Sequence, residues 1–217
     1  MSLSVIATPI GNPKDISLRA IECLTNAEVV IGEEFKEVSK LLKSLDIKGK
    51  ALEVLNEHST PEDVQALLKI CLEKNVALVS DCGTPGFCDP GASLIQLCRK
   101  HKLEVRTLPG ASSLMGLLSL SGERINQFVF RGFLPAENEA RAAEIKKLKT
   151  ETRPLVLMDT PYRLKKLLSE LSEAMPQRRA LLACDLTQET EVVIECLVKD
   201  LSSKLVKEKA EFMLLLF

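Results

Sequence analysis

Several catalytic signatures are missing from this chain, and each absence removes a class of function. There is no GxGxxG, so the standard dinucleotide fingerprint fails, and no P-loop of the GxxxxGK type for a nucleoside triphosphate. No GxSxG elbow carries a hydrolase nucleophile. Histidine occurs only at His58 and His101, and no CxxC pair is present, so no metal site is expected. The seven cysteines are an odd number without a disulfide framework, which reads as reduced thiols. Cys82 and Cys88 are expected to be packing residues. A formal net charge of -1 offers no global attraction to nucleic acid. No basic leader precedes an apolar signal segment, and no run approaches the roughly 20 apolar residues of a membrane span. The expected location is cytoplasmic.

What is present is organised around Val76 to Gly91. An apolar run, Val76-Ala77-Leu78-Val79, reads as a buried strand. It breaks into Ser80-Asp81-Cys82-Gly83-Thr84-Pro85-Gly86-Phe87-Cys88-Asp89-Pro90-Gly91, a loop dense in glycine and proline that leads into a helix from Ala92. Further strands are read at Leu3–Ala7, Glu28–Gly32, Ala51–Leu55 and Leu103–Thr107. Helices lie between them, one with Asp15 as its N-cap. That alternation predicts a doubly wound, mainly parallel sheet whose strands all end on one edge. Thr8–Pro13, Ser80–Gly91 and Leu108–Ser113 therefore converge.

After Gly122 the texture changes. Strands read at Gln127–Phe133, Leu155–Met158, Ala180–Cys184, Val192–Leu197 and Phe212–Phe217 imply a mixed sheet. Helices fall at Glu139–Lys149, Leu164–Ala174 and Asp200–Lys207. The fold expected is two α/β domains, residues 1–119 and 120–217, with a ligand cleft between them and the boundary near Ser119–Arg124. The converging loops offer backbone groups, small hydroxyls and carboxylates, a set suited to a zwitterionic adenosyl ligand rather than a polyphosphate. Asp81, Thr84, Ser112 and Ser113 would bond its polar groups, and Pro9, Ile10, Gly11 and Phe87 would pack on its apolar parts.

Thr8-Pro9-Ile10-Gly11-Asn12, Ser80–Pro85, Asp89-Pro90-Gly91, Leu108–Ser113 and Gly132-Phe133-Leu134-Pro135 together resemble the tetrapyrrole methylase superfamily. More narrowly, they are similar to its branch that methylates a ribose 2'-hydroxyl of small-subunit ribosomal RNA. The resemblance implies S-adenosylmethionine as cofactor, ribosomal RNA or the small ribosomal subunit as partner, and a homodimer. Gly83, Met158 and Ala210 join the cofactor positions on that ground. Candidate bases are Glu33 and Glu34 above all, then Asp159 and Glu191, with solvated surface acids as the competing account. Lys36, His58, Arg131, Arg141 and Arg163 are candidate substrate contacts, and Arg178 and Arg179 further ones. For the cations, surface solubility is the competing account. His101 reads as part of a solvated charge run.

The chain departs from that branch at several points. Glu33-Glu34-Phe35-Lys36 stands where the branch reads Glu-Asp-Thr-Arg. Met158-Asp159-Thr160-Pro161-Tyr162-Arg163 replaces Tyr-Glu-Ser-Pro-His-Arg, and Cys184-Asp185-Leu186-Thr187-Gln188 replaces Arg-Glu-Leu-Thr-Lys. Glu137 lies near the place of an expected lysine. The cofactor loops are kept while RNA-facing cations are lost. Two alternatives follow: a methyltransferase for a tetrapyrrole or other small acceptor, and a protein that binds S-adenosylmethionine without catalysis.

Overall fold

Val76-Ala77-Leu78-Val79 is apolar throughout because both faces of its strand are covered. In the computed structural model, which describes Met1–Phe217, it forms β4 (Val76–Val79) at the centre of a five-stranded parallel sheet. The other strands are β1 (Ser2–Ile6), β2 (Val29–Gly32), β3 (Ala51–Val54) and β5 (Glu104–Leu108), in the order β3-β2-β4-β1-β5. Helices α1 (Leu18–Asn26), α2 (Phe35–Ser44), α3 (Pro61–Glu73) and α4 (Ala92–Lys100) connect them.

The two-residue period of the strands sorts side chains between two cores. Leu3, Val5, Val76 and Leu78 pack with Val64 and Leu68 of α3 and Leu94 and Cys98 of α4. Ile6, Ala77 and Val79 pack on the opposite face with Ala20 and Leu24 of α1 and Val38 and Leu42 of α2. The connection leaving β1 therefore runs over one face toward β2, and that leaving β4 runs over the other toward β5. β1 and β4 are hydrogen-bonded neighbours, so their carboxyl ends mark the topological switch point, where open α/β sheets bind ligands.

The chain divides into two units, Met1–Ser112 and Ser113–Phe217. The second holds α5 (Ser113–Ser119), β6 (Val129–Gly132), α6 (Asn138–Leu148), β7 (Leu155–Met158), α7 (Leu164–Ala174), β8 (Arg179–Cys184), β9 (Val192–Leu197), α8 (Val198–Lys204) and β10 (Phe212–Leu216). Its sheet is mixed, in the order β6-β7-β10-β8-β9, with β6 and β7 parallel and the other pairs antiparallel. β10 is the central strand and is buried at every position. Phe212, Leu214 and Leu216 pack against α6, α7 and α8, while α5 covers the other face.

Local chemistry moved some boundaries. The N-cap of α1 is Ser17, whose hydroxyl accepts the Ala20 amide at 3.1 Å, and Asp15 sits instead in a 3-10 turn at Pro13–Asp15. Ser17 wins because it stands one residue before the helix, where a hydroxyl reaches the N3 amide. Ser113, read as the end of a loop, begins a helix that runs to Ser119. Cys82 and Cys88 are exposed rather than packed, because both lie in the loop beyond β4. No helix is long and apolar enough to cross a membrane.

Candidate functional site

The end of β1 is tied to the loop after β4 by a two-bond bridge. Thr8 N donates to Gly83 O at 2.8 Å and Gly83 N donates to Thr8 O at 3.1 Å. The buried Thr8 hydroxyl also donates to Ser80 O at 3.2 Å, and the Ser80 hydroxyl donates to Cys82 O at 3.1 Å. Gly83 takes φ +79°, a conformation that costs a residue with a Cβ. The loop after β5 joins the same edge. Ala7 N donates to Leu108 O at 3.1 Å, Thr84 Oγ1 donates to Ala111 O at 3.4 Å, and a Cβ on Gly110 would lie 3.0 Å from that of Ala7. The three loops expected to converge do so, and Pro9, Ile10, Gly11, Asp81, Gly83, Thr84 and Ser112 share one edge. Phe87 belongs to the same loop and is 62% exposed.

Carboxylates crowd this edge. Glu33, at the end of β2, accepts the Asp81 amide at 3.0 Å. Partial burial holds Glu33 above the usual carboxylate range against that bond, with Asp89, Glu57 and Glu34 adding repulsion. Desolvation, then Glu33, Glu34 and Glu37, push Asp81 up to about 6. Asp89 is raised by burial and by Asp81. Glu34 precedes α2 and makes no side-chain cap. A cavity of 170 Å³ beside this cluster is lined by Thr8, Pro9, Gly11, Val79, Ser80 and Asp81, among others. His58 lies exposed in the loop after β3, 3.8 Å from Glu57, and Lys36 is exposed in the first turn of α2.

The candidate cations of the second unit divide sharply. Arg141, expected as a substrate contact, is 1% exposed and belongs to the core. Its guanidinium donates to Asp159 Oδ2 at 2.8 Å and to Glu170 Oε2 at 2.6 Å, and more weakly to Pro135 O at 3.4 Å. Packing of α6 against α7 buries that side of the helix, so Arg141 cannot meet a phosphate at the surface. Asp159 is correspondingly committed as an ion-pair partner and is no free base. Glu191 is engaged too, accepting the Thr187 amide at 2.6 Å. Arg178 donates to the Phe217 and Arg153 carbonyls, each at 2.8 Å, and Arg179 pairs with Glu123 and lies 3.9 Å over the Phe217 ring. Both are tied into the fold. Arg131 is half-buried against Glu144 at 2.6 Å. Arg163 retains an open flank, 3.6 Å from Asp159. Met158 ends β7, and Ala210 is buried just before β10.

Residues 2–202 match the family model described as Tetrapyrrole (Corrin/Porphyrin) Methylases. The chain belongs to the tetrapyrrole methylase family. A curated relative, "Ribosomal RNA small subunit methyltransferase I" of Leptospira biflexa serovar Patoc, is 34% identical over 215 residues, spanning 99% of this chain and 90% of the relative. Among solved structures, diphthine synthase superposes with a TM-score of 0.77 at 17% identity, over 99% of this chain and 90% of that one. Uroporphyrin-III C-methyl transferase from Thermus thermophilus, complexed with S-adenyl homocysteine, gives 0.65 at 17% identity over 100% and 97%. The two structures establish the shared fold. This tetrapyrrole methylase is thus a methyltransferase.

Several groups that the structure brings to these sites, Asp89 apart, carry no signal in the sequence motifs. Asp89 and Glu37 stand within the acid cluster, Glu170 completes the Arg141 ion pairs, and Lys209 lies 3.7 Å over the Tyr162 ring. Asp89, in the loop's own Asp-Pro-Gly, was the one within reach of a motif reading. The others depend on contacts between elements far apart in sequence.

Proposed function

We propose that this methyltransferase uses S-adenosylmethionine, held by the carboxyl-edge loops of its first unit, to methylate a ribose 2'-hydroxyl of small-subunit ribosomal RNA. The observation that carries the reading is the Thr8–Gly83 bridge at the β1–β4 switch point, which sets the three motif loops side by side. The donor set fits a cationic zwitterion: carbonyls, small hydroxyls and the Asp81, Glu33 and Asp89 carboxylates, with Lys40 of the cavity wall turned toward Glu37. Pro9, Ile10, Gly11, Asp81, Gly83, Thr84, Phe87, Ser112 and Ser113 would hold it. Met158 and Ala210 are the contacts that family resemblance adds. The ribosomal RNA acceptor is supported by the name of the Leptospira biflexa relative. The homodimer is what the family resemblance implies, and a cytoplasmic location is proposed with it.

When bound, S-adenosylmethionine supplies a methyl group already activated on a sulfonium. The protein's task is then alignment of the hydroxyl and removal of its proton. Glu33 suits the second role: its proton affinity is raised, and the Asp81 amide fixes one of its oxygens. Glu34 is the alternative acceptor for that proton.

The test is transfer of label from tritiated S-adenosylmethionine to small ribosomal subunits, naked ribosomal RNA and a precorrin, offered separately. Label in the RNA is expected, resistant to alkali at the linkage following the modified ribose. Label confined to the precorrin would overturn the acceptor, and tight cofactor binding with no label anywhere would overturn catalysis. Glu33→Gln should lower turnover by roughly 10²- to 10⁴-fold if Glu33 is the base.

A further inference from the structure

The chain has one tyrosine and no tryptophan. That tyrosine, Tyr162, is 81% exposed in the turn Pro161–Arg163 after β7. A solitary exposed apolar side chain needs no explanation by itself. What surrounds this ring sets it apart. The Lys209 ammonium sits 3.7 Å from the ring centroid and lies in the field of Glu211 without closing an ion pair with it. It also draws the phenol below its ordinary acidity range. With a cation on one face and so much of the ring in water, the opposite face stands open.

The neighbourhood is cationic but not uniformly so. Arg163 follows directly, 3.6 Å from the buried Asp159. Lys165 is neutralised by Glu208 at 2.9 Å, and Lys166 lies 3.8 Å from Glu170. Lys209 and the outer edge of Arg163 are therefore the charges available to a ligand. Phe133, 44% exposed, follows β6, whose parallel pairing with β7 brings both loops to one sheet edge. An aromatic face beside accessible cations is the arrangement by which proteins grip single-stranded nucleic acid, stacking a base and meeting the flanking phosphates.

We infer that Tyr162 is a stacking platform for an unpaired nucleobase of the RNA acceptor, with Lys209 and Arg163 meeting the adjacent phosphates, an inference that rests on the acceptor proposed above. A paired base has both faces occupied by its neighbours, so the platform selects single-stranded or looped RNA. It needs no particular base, since every base has a π-face.

The absence of tryptophan makes the platform its own reporter. Tyrosine emission should be quenched saturably by a mixed-sequence single-stranded RNA, and far less by the same strand annealed to its complement. Labelled single-stranded RNA should bind Tyr162→Ala roughly 5- to 100-fold more weakly than the native protein. Tyr162→Phe, which keeps the ring, should restore most of that loss. Unchanged emission at saturating RNA, native affinity in Tyr162→Ala, or failure of Tyr162→Phe to rescue would each overturn the platform. If quenching and the affinity loss are found but the native protein labels no RNA, the acceptor reading falls and the platform stands. If RNA is labelled but Tyr162→Ala binds it normally, the platform alone falls.

Discussion

The carboxyl edge of the first sheet and the edge of the second where β6 and β7 end are built from opposite materials. In the first unit the edge is made of backbone, hydroxyls and acids: Glu33, Glu34, Asp81 and Asp89 form no ion pair, and Lys40 reaches Glu37 only at 3.5 Å. In the second, the loops after β6 and β7 are held by guanidinium and ammonium groups, from the buried Arg141 to the exposed Lys209. Under the function proposed above, the contrast lets a chain of near-zero net charge serve two unlike ligands. Uncompensated carboxylates favour a small cation, while phosphate would be repelled there and met at the other edge.

The sharpest way to break that contrast is at its buried cation. Arg141→Ala should cost about 3–5 kcal/mol in urea unfolding, because Asp159 is left charged and without its main partner. Replacing Arg141, Asp159 and Glu170 together with apolar residues of similar volume should recover most of the loss. Next comes the first unit's preference for charge. Asp81→Asn should weaken binding of S-adenosylmethionine about tenfold, or about 1.4 kcal/mol, and of the uncharged-sulfur product much less. Isothermal titration with both ligands checks this.

The pH dependence should follow from Asp81, whose pKa is pushed up to about 6. Because the folded protein holds that proton more tightly than the unfolded chain, this group's contribution to stability falls as pH rises from its ordinary range through about 6. Ligand binding runs the other way: affinity for S-adenosylmethionine should decline as pH is lowered through about 6, and Asp81→Asn should flatten that decline. The smallest effect is expected at the exposed cation, where Lys209→Ala should reduce the slope of log affinity for RNA against log salt by about one.

Both sheets and most of their helices are legible from sequence, because apolar periodicity reports burial directly. Val76–Val79 needs no tertiary knowledge to be read as a covered strand, and Thr60-Pro61-Glu62-Asp63 announces a helix start that the structure completes with a reciprocal Thr60–Asp63 cap. Ser113–Ser119 is harder. It follows Pro109-Gly110 and carries Gly116 at its centre, so local propensity argues against a helix, and packing on β10 supplies what propensity does not. The convergence of the candidate site's loops was legible where it is made of backbone, at Thr8–Gly11 and Ser80–Thr84. Side-chain roles were illegible where they rest on distant pairing. In Glu139-Ala140-Arg141-Ala142-Ala143-Glu144 an arginine reads as solvated, and nothing local announces partners 18 and 29 residues away.

The Arg141 ion pairs also restrict how this sequence can change. Arg141, Asp159 and Glu170 anchor α6, the end of β7 and α7 to one another, and Arg141 touches the Pro135 carbonyl of the Gly132–Pro135 loop. Loss of Arg141 strands the Asp159 carboxylate in the core, whereas loss of either acid still leaves Arg141 one carboxylate partner, so drift is constrained most at Arg141. Close relatives should therefore keep the arginine with at least one of its two acids, and a lineage without the arginine should have replaced Asp159 as well.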